Sequence, residues 1–392
     1  MSHKALFSRA LGLDPQRLHF AAHSHHLWPD ASYEGQMRAW DEANQFADHK
    51  WDLVFGQVVP EAQAHVAAEL GLPDAGTVVF APNTHDFLVR IVSGFEARPV
   101  RILTSDCEFH SFRRQAERWE EAGEAVVTRV PLEPFDSFDT RFVAAARAGG
   151  HDLIFVSQVF FRTGQVFGGT ADLAALARPE GPWVVIDGYH GFMATPTDLS
   201  AVADRIFYVA GGYKYAMSGE GAGFLHAPPG FCSRPVVTGW FAEFGDLTGP
   251  PGGVQYREDG GRFWGATFDF TALYRFNGVR RMLAEAGLTT QAISAHARRL
   301  QTRFSEAVAA GECGRLDQAL VVNPVQGSQS AADGPHARFL ALKHPEAQAW
   351  CAALLAENIV IDVRDDTLRF GFGLYQDDED LERLIAVCHR LF

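Results

Sequence analysis

The sequence predicts an α/β protein: a large unit on a mostly parallel sheet of seven strands, followed by a smaller α/β unit. Three observations carry this. From about Leu70, short apolar, β-branched runs alternate with helix-length amphipathic segments, the rhythm of strands covered on both faces. The chain has 392 residues, 47% of them hydrophobic and 12% aromatic, enough for two cores and too apolar for general disorder. A Gly/Pro-rich stretch, TGPPGGVQYREDGG at 248–261, then interrupts the rhythm, and the pattern beyond it is at first helical.

The expected elements run in order along the chain. TVVFA (77–81) leads into a helix ending near Phe95, and VRILTS (100–105) into a charged helix at about 111–122. AVVTRV (125–130), DLIFVS (152–157), WVVID (183–187), RIFYVA (205–210) and GAGFLH (221–226) complete the seven strands. Leu288, Ile293, His296, Leu300, Phe304 and Val308 mostly share one helical face. The remainder predicts strands at 319–322, 337–342, 359–363 and 367–372, a helix at 346–356 and a final helix from Asp377. The expected division is 1–45 as an N-terminal segment joining the small unit, 46–262 as the large domain and 263–392 as the small one.

Charge and composition exclude some function classes. With 34 basic and 48 acidic residues the formal charge is −14, which repels phosphate backbones and argues against nucleic-acid binding. No run approaches the roughly 20 apolar residues of a membrane span. The start, MSHKALFSRALGLDPQ, breaks its apolar stretch at Arg9 and has no small-residue cleavage site, so no secretion signal is read. Five scattered cysteines (107, 232, 313, 351, 388) without CxxC spacing fit reduced thiols. A cytoplasmic protein is expected.

One stretch carries chemistry: VVIDGYHGF (184–192), followed by YVAGGYKYAMSGEGAGFLH (208–226). Asp187 ends an apolar strand, at the sheet edge where such folds bind ligands. Lys214 follows the next strand among small residues. A lysine that holds an aldehyde as a Schiff base, and a carboxylate that keeps a pyridinium nitrogen protonated, are what pyridoxal 5'-phosphate (PLP) chemistry requires. Taken alone, the pair also reads as a turn-capping Asp and a solvated surface lysine.

The chain resembles the aminotransferase class V family of PLP enzymes (fold type I), and within it is most similar to kynureninase, from about Phe20 to Leu381. The resemblance implies that Asp187 and His190 flank the cofactor ring. Tyr213, in Tyr213-Lys214-Tyr215, would lie at the phosphate, with Lys214 as the Schiff-base residue. SQVFFRTGQV (157–166) is similar to a family strand-loop, and TGWF (238–241) to a segment whose Trp, here Trp240, reaches the phosphate. In LRFGFGLYQDDEDLERL (368–384), Arg369 matches the arginine that forks onto a substrate α-carboxylate.

Further positions carry over. Asn83 and Thr84 open a helix, a ready phosphate site, though Thr84 also reads as a plain N-cap. The resemblance places Phe109 on the cofactor face, against the alternative of a core Phe. It places Ser111 at the phosphate and Thr267 at the cofactor of a partner subunit, which implies a homodimer whose crossing element lies around 250–270.

Substrate-facing segments depart from the kynureninase pattern. FAAHSHHLWP (20–29) keeps Ser24 but puts His23, His25 and His26 where the family has other residues, and FHSF (109–112) replaces a Phe-Pro segment. Ser24, His23 and His25, with Arg369, are the candidate substrate contacts. On a strand His23 and His25 would point the same way, as a metal site needs, but no carboxylate or Cys pattern completes one, so no metal is assigned. Cysteine desulfurases share the fold but need a nucleophilic Cys on a mobile loop. Cys351, in EAQAWCAALLAEN, reads instead as a thiol within a helix. The expected function is a kynureninase-like hydrolase cleaving Cβ–Cγ of an amino acid, with Lys214, Asp187 and His190 catalytic and His190 orienting Asp187 by a hydrogen bond. The alternatives are an aminotransferase or β-lyase with the same cofactor machinery, and a non-catalytic binding protein that has kept the fold.

Overall fold

The computed structural model describes residues 2–244, 252–325 and 335–392. Its strands are β1 (Leu18–His19), β2 (Val78–Ala81), β3 (Val100–Ser105), β4 (Ala125–Val130), β5 (Leu153–Ser157) and β6 (Trp183–Asp187). They continue with β7 (Ile206–Gly211), β8 (Gly223–His226), β9 (Phe339–Lys343), β10 (Ile359–Val360), β11 (Asp362–Arg364) and β12 (Thr367–Gly371).

The main sheet has seven strands in the order β2-β8-β7-β6-β5-β3-β4. β8 runs antiparallel to both neighbours and the other pairs are parallel. Val184, Val185 and Ile186 of β6, and every residue of β7, are buried. Strands covered on both faces bury consecutive side chains, which is why these runs read as unbroken apolar stretches. The edge strand β4 instead exposes Val126 and Arg129, and Arg129 pairs with Glu120 of the neighbouring helix His110–Glu121 at 2.5 Å. A charge on an edge discourages pairing with another chain.

A second sheet, β11-β12-β9, is antiparallel throughout. The helices Thr290–Ala309, Ala347–Ala356 and Asp378–Leu391 contribute Phe304, Leu354 and Leu384 to the core beneath it. Asp377 caps the last helix in a reciprocal box with Asp380. Residues 319–322 do not form the expected strand. Gln318–Leu320 is a short 3-10 turn, and Val321 makes one isolated bridge to Leu342. The ladder stops there because the Asn323 side chain takes the next partners, donating to the Phe339 carbonyl and accepting from Ala341 N–H.

The N-terminal segment serves both cores. Leu18 and Phe20 join the smaller one, with β1 parallel to β10, while Phe7, Ala22, Leu27 and Ala39 join the larger. Helix Asp30–Phe46 lies against helix Thr271–Glu285 so closely that a Cβ at Gly35 would sit 2.6 Å from the Tyr274 carbonyl. The larger core accordingly extends past residue 262, through Phe270, Leu273 and Val279 to Ile293, and the smaller begins at Ala297 on the same helix. Of the Gly/Pro-rich stretch, 248–251 lie outside the described residues, and 252–259 carry no helix or strand.

Candidate active site

The carboxyl ends of β2, β3, β5, β6 and β7 converge on a cavity of 390 Å³, the place where doubly wound sheets bind ligands. It is lined by Lys214, Asp187, His190, Tyr213, Asn83, Thr84, Phe109, Ser111, Arg369, Ser24 and His23. Eleven of the candidate positions thus come from four strand ends, the N-terminal segment and the small sheet into one space.

Lys214, just beyond β7, is buried at 8% exposure. Its Nζ meets Nε2 of His190 and lies over the rings of Tyr189 (5.0 Å) and Phe109 (5.4 Å). Burial pulls its ammonium down to about 7, against the opposing pull of Asp187. Asp187 ends β6 opposite Ser157 of β5, and its Oδ1 accepts the Tyr189 N–H at 2.9 Å. Burial raises the Asp187 carboxyl, with the Tyr189 N–H and Lys214 working the other way. His190 is held well below the ordinary imidazole range by burial and by Lys214. The expected hydrogen bond from His190 to Asp187 is not the one formed: the ring meets Lys214, and its Nδ1 is buried without a partner.

Asn83 caps the helix Thr84–Ser93, its side chain accepting from Asp86 N–H at 3.1 Å. Asn83, Thr84, Ser111 and Tyr213 bring hydroxyl and amide groups to the cavity wall. Phe109 is 40% exposed and meets Phe161 edge-on at 5.4 Å, so it is not a core residue. Arg369 is buried on β12 with its Nη2 on Asp362 Oδ2 (2.5 Å) and its Nη1 on the Phe161 carbonyl, leaving Nε unpartnered. Its guanidinium is oriented by these partners before any carboxylate arrives.

Three candidates fall outside the cavity. Residues 21–25 form a turn, with the N–H groups of Ser24 and His25 both bonded to the Ala21 carbonyl. His23 therefore points inward and His25 outward, the ring of His25 lying edge-on to Tyr213. The same-side pair expected from strand geometry does not form. His23 is fully buried, both ring nitrogens lack a hydrogen bond, and it stacks on Phe339 at 4.6 Å. A Cβ at Gly371 would sit 2.1 Å from its Nδ1, so glycine is needed there. Trp240 donates from Nε1 to Thr267 Oγ1 at 3.1 Å, and both lie away from the cavity lining. Cys351 sits in helix Ala347–Ala356, and none of the five cysteines lines the cavity.

Several lining residues were not anticipated: Tyr189, Phe161, Ser157 and Arg364. Behind them Glu108 is buried at 3% exposure, accepting from Ser105 Oγ (2.6 Å) and from Ser157 Oγ and N–H (2.5 and 3.1 Å). Burial pushes its carboxyl up to about 7. Its signal lay beside Phe109, as an acid where a strand meets a helix.

The residues present fit PLP. A buried amine, a buried acid, an exposed ring over that amine and hydroxyl donors at a helix start enclose a volume typical of small-molecule sites.

The profile of the family "Aminotransferase class-V" matches residues 36–318. The chain belongs to the aminotransferase class V family. PLP is thus its cofactor and its fold is fold type I. Within class V, the kynureninase C-terminal domain profile matches residues 293–388, so the likeness to kynureninase is carried by that segment. Other relatives bear other names. Isopenicillin N epimerase of Streptomyces clavuligerus is 33% identical over 158 residues, 39% of each chain. The chain thus aligns with less than half of that relative's length. A probable cysteine desulfurase of Vibrio cholerae serotype O1 is 25% identical over 349 residues, 84% of this chain and 81% of the relative. Among solved structures, cysteine desulfurase of Thermococcus onnurineus NA1 superposes with a TM-score of 0.77 at 18% identity, covering 100% of this chain and 99% of that one. At that identity the likeness is one of fold. Among the described residues no helix is long and apolar enough to cross a membrane.

Proposed function

We propose that this class V enzyme removes the Cα proton of an amino acid with Lys214 and breaks a bond at Cβ, as a kynureninase-like hydrolase does. The observation that carries the reading is the buried Lys214 amine between His190, Tyr189 and Phe109, in one cavity with Asp187 and Arg369. PLP, when bound, supplies an electron sink that acidifies the Cα proton and loosens bonds one carbon further out. Lys214 is suited to hold it and to move protons near neutral pH, because burial pulls its ammonium down to about 7. Asp187, held by the Tyr189 N–H, would pair with the pyridine nitrogen and keep it protonated. His190, kept neutral, steadies Lys214 Nζ. Arg369 receives the α-carboxylate.

The kynureninase-like form is supported by the C-terminal match, which includes Arg369. A β-lyase is the second reading. It is favoured over persulfide transfer as in a cysteine desulfurase, because no thiol lines the cavity and burial pushes Cys107 up to about 12. Product analysis separates the possibilities. Alanine plus a carboxylic acid supports the hydrolase, pyruvate plus ammonia the lyase, and conversion of the cofactor to its amine form an aminotransferase.

The working unit of this reading is a homodimer in the cytoplasm. Trp240 and Phe244 are exposed, and Trp240 holds Thr267 outward, as residues reaching a second copy would be. Light scattering that finds an active monomer contradicts the dimer.

A further inference from the structure

We propose that Arg364 is a specificity residue that receives an anionic group on the substrate's side chain, so that the substrate is an amino acid carrying a second acid. This rests on the amino-acid site proposed above and adds the substrate's chemical class.

Arg364 and Arg369 share one carboxylate. Asp362 of β11 stands opposite Arg369 of β12 in the hairpin register. Its Oδ2 accepts from Arg369 Nη2 at 2.5 Å, and its Oδ1 accepts from Arg364 Nη1 at 2.7 Å. Arg364 Nη1 also donates to the Val363 carbonyl. Both arginines line the cavity, but they differ in depth. The Arg369 side chain is 3% exposed and the Arg364 side chain 41%, which puts Arg364 at the mouth.

Charge then decides what enters. Inside the cavity Lys214 is matched by Asp187. The two arginines outnumber Asp362 by one. His23 approaches Asp362 to 3.8 Å, but burial and Arg369 keep its ring neutral. His190 is neutral as well. Farther out, Arg162 faces Asp365 at 3.7 Å. A neutral amino acid whose α-carboxylate takes Arg369 offers no anion to Arg364, which shares Asp362 with Arg369. An acidic side chain supplies that anion. Phe109, Phe161 and Val159 form apolar walls, where an unmatched charge is costly. The planar fork of arginine suits a carboxylate or sulfur oxyacid in two-point contact.

The test is spectral titration of the PLP-loaded enzyme with aspartate, glutamate and cysteine sulfinate against asparagine, glutamine and leucine, repeated with Arg364→Gln and Arg364→Lys. We expect the acidic ligands to bind at least tenfold more tightly than the neutral ones. Arg364→Gln should erase that gap while leaving neutral ligands within twofold, and Arg364→Lys should restore part of it. Equal binding of both classes by the wild type, or a gap that survives in Arg364→Gln, overturns the assignment and leaves the amino-acid site standing. A spectrum that no amino acid perturbs overturns the site and this assignment together.

Discussion

Arg369 and Asp362 form a buried ion pair across the β11–β12 hairpin, Nη2 to Oδ2 at 2.5 Å. The guanidinium proposed to bind the substrate carboxylate is thus already anchored from behind. A buried charge pair holds geometry more than it adds stability.

Arg369→Gln therefore removes both the carboxylate contact and the partner of Asp362. Loss of one member of a buried charge pair costs about 2–5 kcal/mol, so amino-acid affinity should fall by about thirtyfold or more. Spectral titration measures it, and the cofactor's own absorbance should remain.

A second expectation concerns pH. Lys214 releases its proton near 7 because burial disfavours the ammonium, and the neutral amine is the nucleophile. Capture of PLP by the cofactor-free protein should speed up as pH rises towards 7 and level off above it. An ordinary lysine would keep gaining to about 10. Stopped-flow absorbance from pH 6 to 9 reads the midpoint.

Glu108 gives a stability signature. Folded, it keeps its proton to about 7, because burial outweighs the hydroxyls of Ser105 and Ser157. Unfolded, a glutamate ionises near about 4.3. Between those values the native state binds the extra proton, so Glu108 contributes stability that is lost as pH rises through about 7. Glu108→Gln should gain in Tm relative to wild type on going from pH 5 to pH 8. An unchanged difference contradicts this.

Phe109 offers its ring to whatever Lys214 holds. Stacking of this kind is worth about 0.5–1.5 kcal/mol. Phe109→Ala should weaken PLP retention by about threefold to tenfold in equilibrium dialysis, whereas Phe109→Tyr should preserve it.

The sheet and the Lys214–Asp187 pair were legible because buried parallel strands leave unbroken apolar runs, and the residues at the carboxyl end of such a run lie at the ligand-binding edge. The His cluster was not. FAAHSHH alternates as a strand would, but the Ala21 carbonyl takes two N–H groups and closes a turn that sends His25 outward. Residues 319–322 misled similarly, because strand-like composition says nothing of Asn323, whose amide takes the ladder's next partners. Glu108 and Arg364 carried at most a weak signal. An acid at a helix start and a charge in the DVRDD hairpin are ordinary surface features until the fold brings one behind Ser157 and the other to the cavity.

The chain has four lysines, which makes the central claim open to one direct measurement. The PLP-loaded protein is reduced with borohydride, digested, and its peptides weighed. The account predicts the cofactor's mass on the peptide containing Lys214, and a Lys214→Ala protein that folds but shows neither that mass nor the visible band. Attachment at Lys4, Lys50 or Lys343, or an unchanged band in Lys214→Ala, would contradict it.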